Sequence, residues 1–284
     1  MKSVIDSFLL AALIVFALGL LPALPMFVAH LDSPLVYDNN LLRLDEILTG
    51  TRPSFYIGRF FQAHPFLLGV VTWAYCSLEY FLALMLVMAI RYPKNISPSH
   101  ALIFLVGTAL AGGLMYKLCP GVGPRYAFTF PMGEPVSGFG VMPCPPGVPF
   151  NATPSLHSAW IFLVFLTFRR LSLAMRIAGG VMVILTIFAT MALGEHYLCD
   201  LIVALPFALA IYASANCKYK TALIGAVVTI SWQICVRFLP MLSFGFVLLL
   251  PAALLCGLYL FAEQWCHKLL RLDRPLLLEA STSE

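Results

Sequence analysis

The chain has 284 residues, of which 61% are apolar and only 11% charged, with a net charge of +4 and a mean hydropathy of +0.92. Soluble domains are nearer half apolar and a quarter charged, so this composition describes an integral membrane protein. The small positive charge is spread over loops and gives no support to nucleic-acid binding. Backbone polar groups must be paired inside lipid, so the spans are expected to be helical. No ten-residue alternation suggests a barrel.

Taken in chain order, apolar runs predict eight spans near 7–29, 66–90, 100–117, 155–168, 175–193, 197–214, 221–238 and 242–262. The first is read as retained rather than as a signal peptide, being longer than an ordinary signal core and lacking a small-residue cleavage site at Phe27-Val28-Ala29. Residues 1–284 are read as one transmembrane domain with a catalytic core over 100–214 and a tail over 263–284. The segment 30–65 is an outer loop with an amphipathic stretch, Leu41 to Leu48, expected at the interface as a lid or a tether. Glu79 falls inside the second predicted span, where an acid is expensive and is read as a candidate for lining the site.

Eleven of the 17 Lys and Arg residues lie on one side of this topology: Lys2, Arg91, Lys94, Arg169, Arg170, Arg176, Lys218, Lys220, Lys268, Arg271 and Arg274. The positive-inside rule then predicts both termini in the cytoplasm. The other face carries the long Pro/Gly-rich segment 118–154 and two motifs at helix ends, Pro154-Ser155-Leu156-His157 and Gly194-Glu195-His196-Tyr197-x-x-Asp200. Asn95 and Asn151 match the glycosylation pattern. The first is expected inside and the second precedes Pro154, so neither is read as modified.

The two motifs carry the chemistry. His196 and Asp200 are one helical turn apart and share a face. An Asp there can fix the tautomer of a His nucleophile and leave its other nitrogen basic. A capping His with a structural Asp is the plainer reading of the same spacing. Thr153 and Pro154 are expected to cap and begin a helix, with the amides of Ser155 and Leu156 and the Ser155 hydroxyl presented to an anion. His157, in that first turn, is placed to protonate a leaving alkoxide. Arg125 and Lys117 supply a bidentate and a point-charge phosphate ligand, although Lys117 also suits a snorkelling residue at a helix end. Glu195 and Tyr126 are candidates for positioning an acceptor, and Cys119 and Cys144, in one outer loop, are disulfide candidates. No metal-ligand spacing occurs and no cofactor is implied.

These motifs resemble the type 2 phosphatidic acid phosphatase superfamily over roughly residues 100–214. Its second motif matches Pro154, Ser155 and His157, and its third matches His196 and Asp200. The resemblance implies a phosphohistidine on His196, general acid catalysis by His157 and orientation by Asp200. The first motif departs from the pattern: Lys117 and Arg125 are one residue further apart than usual, with Tyr126 in place of Pro. In the third motif, Ala189 and Thr190 replace the usual Ser-Arg. The missing Arg and the run Gly123 to Phe128 are similar to the sphingomyelin synthase and inositol phosphorylceramide synthase branch. The expected activity is a metal-independent lipid phosphatase or headgroup phosphotransferase. Its donor would be a phospholipid, sphingolipid or polyprenyl phosphate, and its acceptor water or a lipid hydroxyl. A lipid-phosphate transporter or scramblase without turnover is the alternative.

Overall fold

The structure, a computed structural model, describes residues 19, 23–25, 35–94, 96–132 and 138–238. The chain divides into two units, Met1–Pro240 and Met241–Glu284, and every described element belongs to the first. The predicted spans 7–29 and 242–262 and the tail 263–284 lie outside the described residues, apart from Gly19 and residues 23–25.

A short strand β1 (Leu35–Val36) leads into helix α1 (Asp38–Thr49). α1 stops at Gly50, whose φ of +69° is the left-handed conformation that suits glycine at a helix end. α2 (Pro53–Gln62) and α3 (Pro65–Cys76) each begin on a proline, which has no amide to waste in a first turn. α4 (Leu78–Arg91) follows α3 after a bend of 42°. α5 (Pro98–Leu118) contains a π-helical segment at Ile103–Gly107. The short α6 (Pro124–Ala127) and strand β2 (Met142–Pro143) precede α7 (Leu156–Phe168). The described residues end with α8 (Leu173–Ala192), α9 (Leu198–Ala215) and α10 (Tyr219–Phe238).

Among the described residues, α5, α8, α9 and α10 are long and apolar enough to cross a membrane, and α3 with α4 makes a fifth candidate if the bent pair is one span. These boundaries fall within a few residues of the expected ones. The run predicted at 155–168 forms α7, a shorter apolar helix of 13 residues that rises about 20 Å. Ten of those residues are buried, so α7 packs among the other helices.

α9 is the most enclosed of the long helices, packed against α7 and α10. At Gly225 of α10 a Cβ would lie 2.7 Å from the Pro206 carbonyl of α9, so glycine lets these helices approach closely. α8 packs on α2, α3 and α7. It leaves Leu173, Ile177, Val181, Ile184 and Phe188 exposed at helical spacing, as a lipid-facing stripe should.

The loops at the His196 end are fastened to α1 and to one another. β1 and β2 pair antiparallel, Leu35 opposite Pro143 and Val36 opposite Met142. The amide of Tyr37 donates to the Pro120 carbonyl at 2.9 Å, and those of Asn151 and Ala152 both donate to Gly121 at 3.0 Å. α1 is itself packed into the fold: six of its 12 residues are buried, including Asp38, Asn40 and Asp45.

Candidate active site

The turn between α8 and α9 places His196. The carbonyl of Thr190 accepts from the amides of Glu195, at 2.9 Å, and His196, at 3.3 Å. Gly194 turns the chain at φ +70° beneath the Phe130 ring, which a Cβ there would meet at 2.9 Å. The Ser54 hydroxyl of α2 donates to the His196 carbonyl at 2.8 Å. His196 is 1% exposed.

The His196 Nδ1 lies 2.8 Å from the Ala152 carbonyl and 3.7 Å from Asp200 Oδ2. Only a donor can serve a carbonyl, so Nδ1 carries the proton and Nε2 is left with its lone pair. The geometry shifts the immediate orienting contact from Asp200 to the main chain at Ala152. The Asp200 carboxylate stands behind it, its Oδ2 accepting the Tyr197 amide at 2.9 Å. That bond is half of a reciprocal cap at the start of α9.

His157 lies across from His196, ring centroids 6.4 Å apart. Its other side is stacked on Tyr75 of α3, with centroids 4.1 Å apart and an interplanar angle of 14°. His157 is half-buried, so it is the more accessible of the two rings. The first turn of α7 differs from expectation. Ser155, rather than Thr153, is the cap, its Oγ accepting the Ser158 amide at 3.3 Å and donating to the Ser158 hydroxyl at 3.1 Å. Pro154 thus precedes the helix. The Ser155 amide donates to the Asp200 carbonyl at 3.3 Å, so the Ser155 groups assigned to an anion are already engaged. The Leu156 amide is engaged as well, donating to the Tyr116 hydroxyl, which leaves the His157 amide at the helix start.

Arg125 reaches the same region through a backbone junction. Its amide donates to the Gly194 carbonyl at 2.8 Å, and its guanidinium pairs with Glu195 at 2.7 Å. That hydrogen bond, against some desolvation, raises the Arg125 pKa above its ordinary value. The guanidinium also sits 5.1 Å from the centre of the Tyr126 ring. Glu195 is therefore an arginine partner, and Tyr126 a platform for that arginine. Gly123, at φ +87°, allows the junction, because a Cβ there would lie 2.3 Å from the Glu195 carbonyl oxygen.

Three expectations change. Lys117 is exposed on the last turn of α5 while Tyr116 and Cys119 turn inward. It makes no ion pair among the described residues, which is the snorkelling arrangement. Glu79 is in the first turn of α4, just beyond the bend, and is exposed rather than lining the site. An acid there complements the helix dipole. Cys119 and Cys144 are both free thiols. Cys119 is wholly enclosed, whereas Cys144 follows β2 at a half-exposed position with its thiol on the Pro145 carbonyl at 3.3 Å.

Two carboxylates of α1 join the site without any forewarning in the sequence. Asp38 accepts the amides of Val122, at 3.0 Å, and Gly123, at 2.9 Å, and the Tyr197 hydroxyl at 2.8 Å. Asp45 accepts the first two amides of α9, Leu198 and Cys199, each at 2.8 Å. Together they tie the Arg125 loop and the His196 helix start to α1. Burial raises their pKa values, to about 6 for Asp38 and about 7 for Asp45, against the opposing pull of these hydrogen bonds. The polar residues of an amphipathic helix give no hint that they will face inward, and no signal in the sequence marks them.

This helical architecture, with several helices long and apolar enough to cross a membrane, is that of an integral membrane protein. The family model of the PAP2 superfamily matches residues 39–214, and the chain belongs to that superfamily. The match starts within α1, so it takes in that helix as well as the motif-bearing core. No curated protein and no solved structure matches the chain.

Proposed function

We propose that the protein is a lipid phosphatase or headgroup phosphotransferase working through a phosphohistidine on His196. One observation carries this reading: His196, its Nδ1 proton spent on the Ala152 carbonyl, faces His157 across 6.4 Å between ring centroids. The Nε2 lone pair attacks phosphorus, an N–P bond forms and the P–O bond to the leaving group breaks. Protonated His157 gives its proton to the departing oxygen. In the second half, neutral His157 takes a proton from water or a lipid hydroxyl, whose oxygen attacks phosphorus and releases His196. Asp200 and Ala152 hold the ring through both halves. Arg125 exchanges Glu195 for a phosphate oxygen, and the His157 amide at the start of α7 adds a further donor.

The chain is read as belonging with the sphingomyelin synthase and inositol phosphorylceramide synthase branch, because Ala189 and Thr190 occupy the places of the usual Ser-Arg. That reading favours a lipid hydroxyl as acceptor. Both termini are placed in the cytoplasm and the two histidines on the outer face, on the distribution of Lys and Arg.

The test uses phosphatidic acid labelled in its phosphate, quenched during turnover. Label is expected on His196 in an acid-labile bond, and neither label nor turnover in His196→Ala. Trapping on another residue, or turnover surviving His196→Ala, overturns the mechanism. Binding of the lipid without any release or transfer of phosphate would replace it with the transport reading.

A further inference from the structure

Behind the Phe55–Phe130 wall of the site lies a second polar cavity, of about 480 Å³. Its size falls in the range of small-ligand sites. Three arginines line it, Arg43, Arg52 and Arg59, against one acid, Glu46. Glu46 is shared: one oxygen takes Arg43 at 2.6 Å and the other takes Arg52 at 2.7 Å. Among the described residues that line it, three guanidiniums face one carboxylate, so this lining is net positive. Arg59 makes no ion pair among the described residues, and its guanidinium rests on the Tyr56 ring at 4.6 Å. An arginine stacked this way keeps the N–H donors along its edge for a further anion.

The surroundings indicate where such an anion comes from. α2 ends three residues before α3, the first half of the bent membrane pair. The cavity therefore sits at the level where a span leaves the bilayer. Tyr56, Phe60, Phe66 and Trp73 are all strongly exposed along α2 and α3. Aromatic rings in that position form the belt found at membrane–water boundaries. The cavity also shares the membrane face of the catalytic pair, since Ser54 bonds the His196 carbonyl and Phe55 beside it packs on Phe128 and Phe130.

We infer that this cavity is a docking site for the headgroup of an anionic phospholipid, separate from the phosphate position at His196. The headgroup phosphate sits against Arg59 and Arg52, and the acyl chains run down past Phe60 and Phe66 into the bilayer. The site holds a lipid beside the active site without reacting with it. The inference needs no particular chemistry at His196.

The test uses full-length His196→Ala protein, so that no lipid is consumed, in phosphatidylcholine nanodiscs with and without phosphatidylglycerol. Phosphatidylglycerol retained after transfer to detergent is quantified by mass spectrometry, and the thermal midpoint is recorded. Each arginine near a membrane surface contributes an attraction equivalent to about fivefold in affinity. Retention is therefore expected to fall about fivefold in Arg59→Gln, and further in the Arg52→Gln/Arg59→Gln pair. Arg59→Lys is expected between Arg59→Gln and the parent, because lysine keeps the charge but not the stacked edge donors. Arg59→Gln breaks no ion pair among the described residues, so its fold is expected to persist even if the double variant is unstable. Arg91→Gln, at the far end of α4, is the control for general surface charge. Equal retention in Arg59→Gln and the parent overturns the inference, as does an equal loss in Arg91→Gln. Displacement of the lipid by millimolar inorganic phosphate alone would reassign the cavity to a free anion and overturn the lipid assignment.

Discussion

Replacing Gly123 by alanine is expected to damage the site more than the fold. The residue has φ +87° and ψ 160°, a combination that L side chains rarely adopt, and holding alanine there costs about 1–3 kcal/mol. In a domain of this size that lowers the thermal midpoint by about 2–12 °C. The added Cβ would also lie 2.3 Å from the Glu195 carbonyl oxygen, where real contacts do not come under 3.0 Å. One of the two main chains must retreat by at least about 0.7 Å. The retreat pulls on the bond from the Arg125 amide to Gly194 and on the turn that carries His196. Misplacing a reacting group by about 1 Å costs on the order of 100-fold in rate. Gly147→Ala is the matched control: its φ is +74°, but a Cβ there meets nothing within 4 Å. The two variants should share a modest loss in thermal midpoint, while phosphate release from phosphatidic acid collapses only in Gly123→Ala. Comparable activity in both, or full activity in Gly123→Ala, would show that the contact between the two loops does not set the position of His196.

The buried carboxyls of α1 predict a pH dependence of stability. Burial raises Asp38 to about 6 and Asp45 to about 7, above the ordinary value near 4. The native state therefore binds more protons than the unfolded one between about pH 4 and 7, and stability falls as pH rises through that window. Asp45→Asn should flatten the slope of thermal midpoint against pH, and parallel slopes would refute the assignment. Peptide mapping under non-reducing conditions is expected to find Cys119 and Cys144 as thiols, and a bridged peptide would refute their separation. Single cysteines introduced in 118–154 should react with an impermeant thiol reagent from outside, and those beside Arg169–Arg176 should not, with the reverse pattern inverting the proposed topology.

Much of the fold was legible because membrane helices announce themselves by length and hydropathy. The runs that became α5, α8, α9 and α10 were placed to within a few residues. The run at 155–168 was placed equally well, as the shorter apolar helix α7. The meeting of the two motifs was legible for another reason. Each combines titratable residues with a helix boundary, and the alternation of spans brings those boundaries to one face.

What escaped the sequence was the set of groups that hold the histidines still. The Ala152 carbonyl that takes the His196 proton has no side-chain signature, since any residue supplies the same atom. Asp38 and Asp45 have a signature that points the wrong way: on an amphipathic helix, acids are expected to face water. They are buried because unpaired amides await them, at Val122 and Gly123 in one loop and at Leu198 and Cys199 where α9 begins. A helix start buried in protein has orphan N–H groups that its own turn cannot satisfy. Here the acceptor for two of them comes from Asp45, more than 150 residues earlier in the chain. Such a partner is dictated by the need for pairing, but only the folded arrangement says which residue fills it. Lifting α1 would strip the acceptors from the Arg125 loop and from the start of α9 at once.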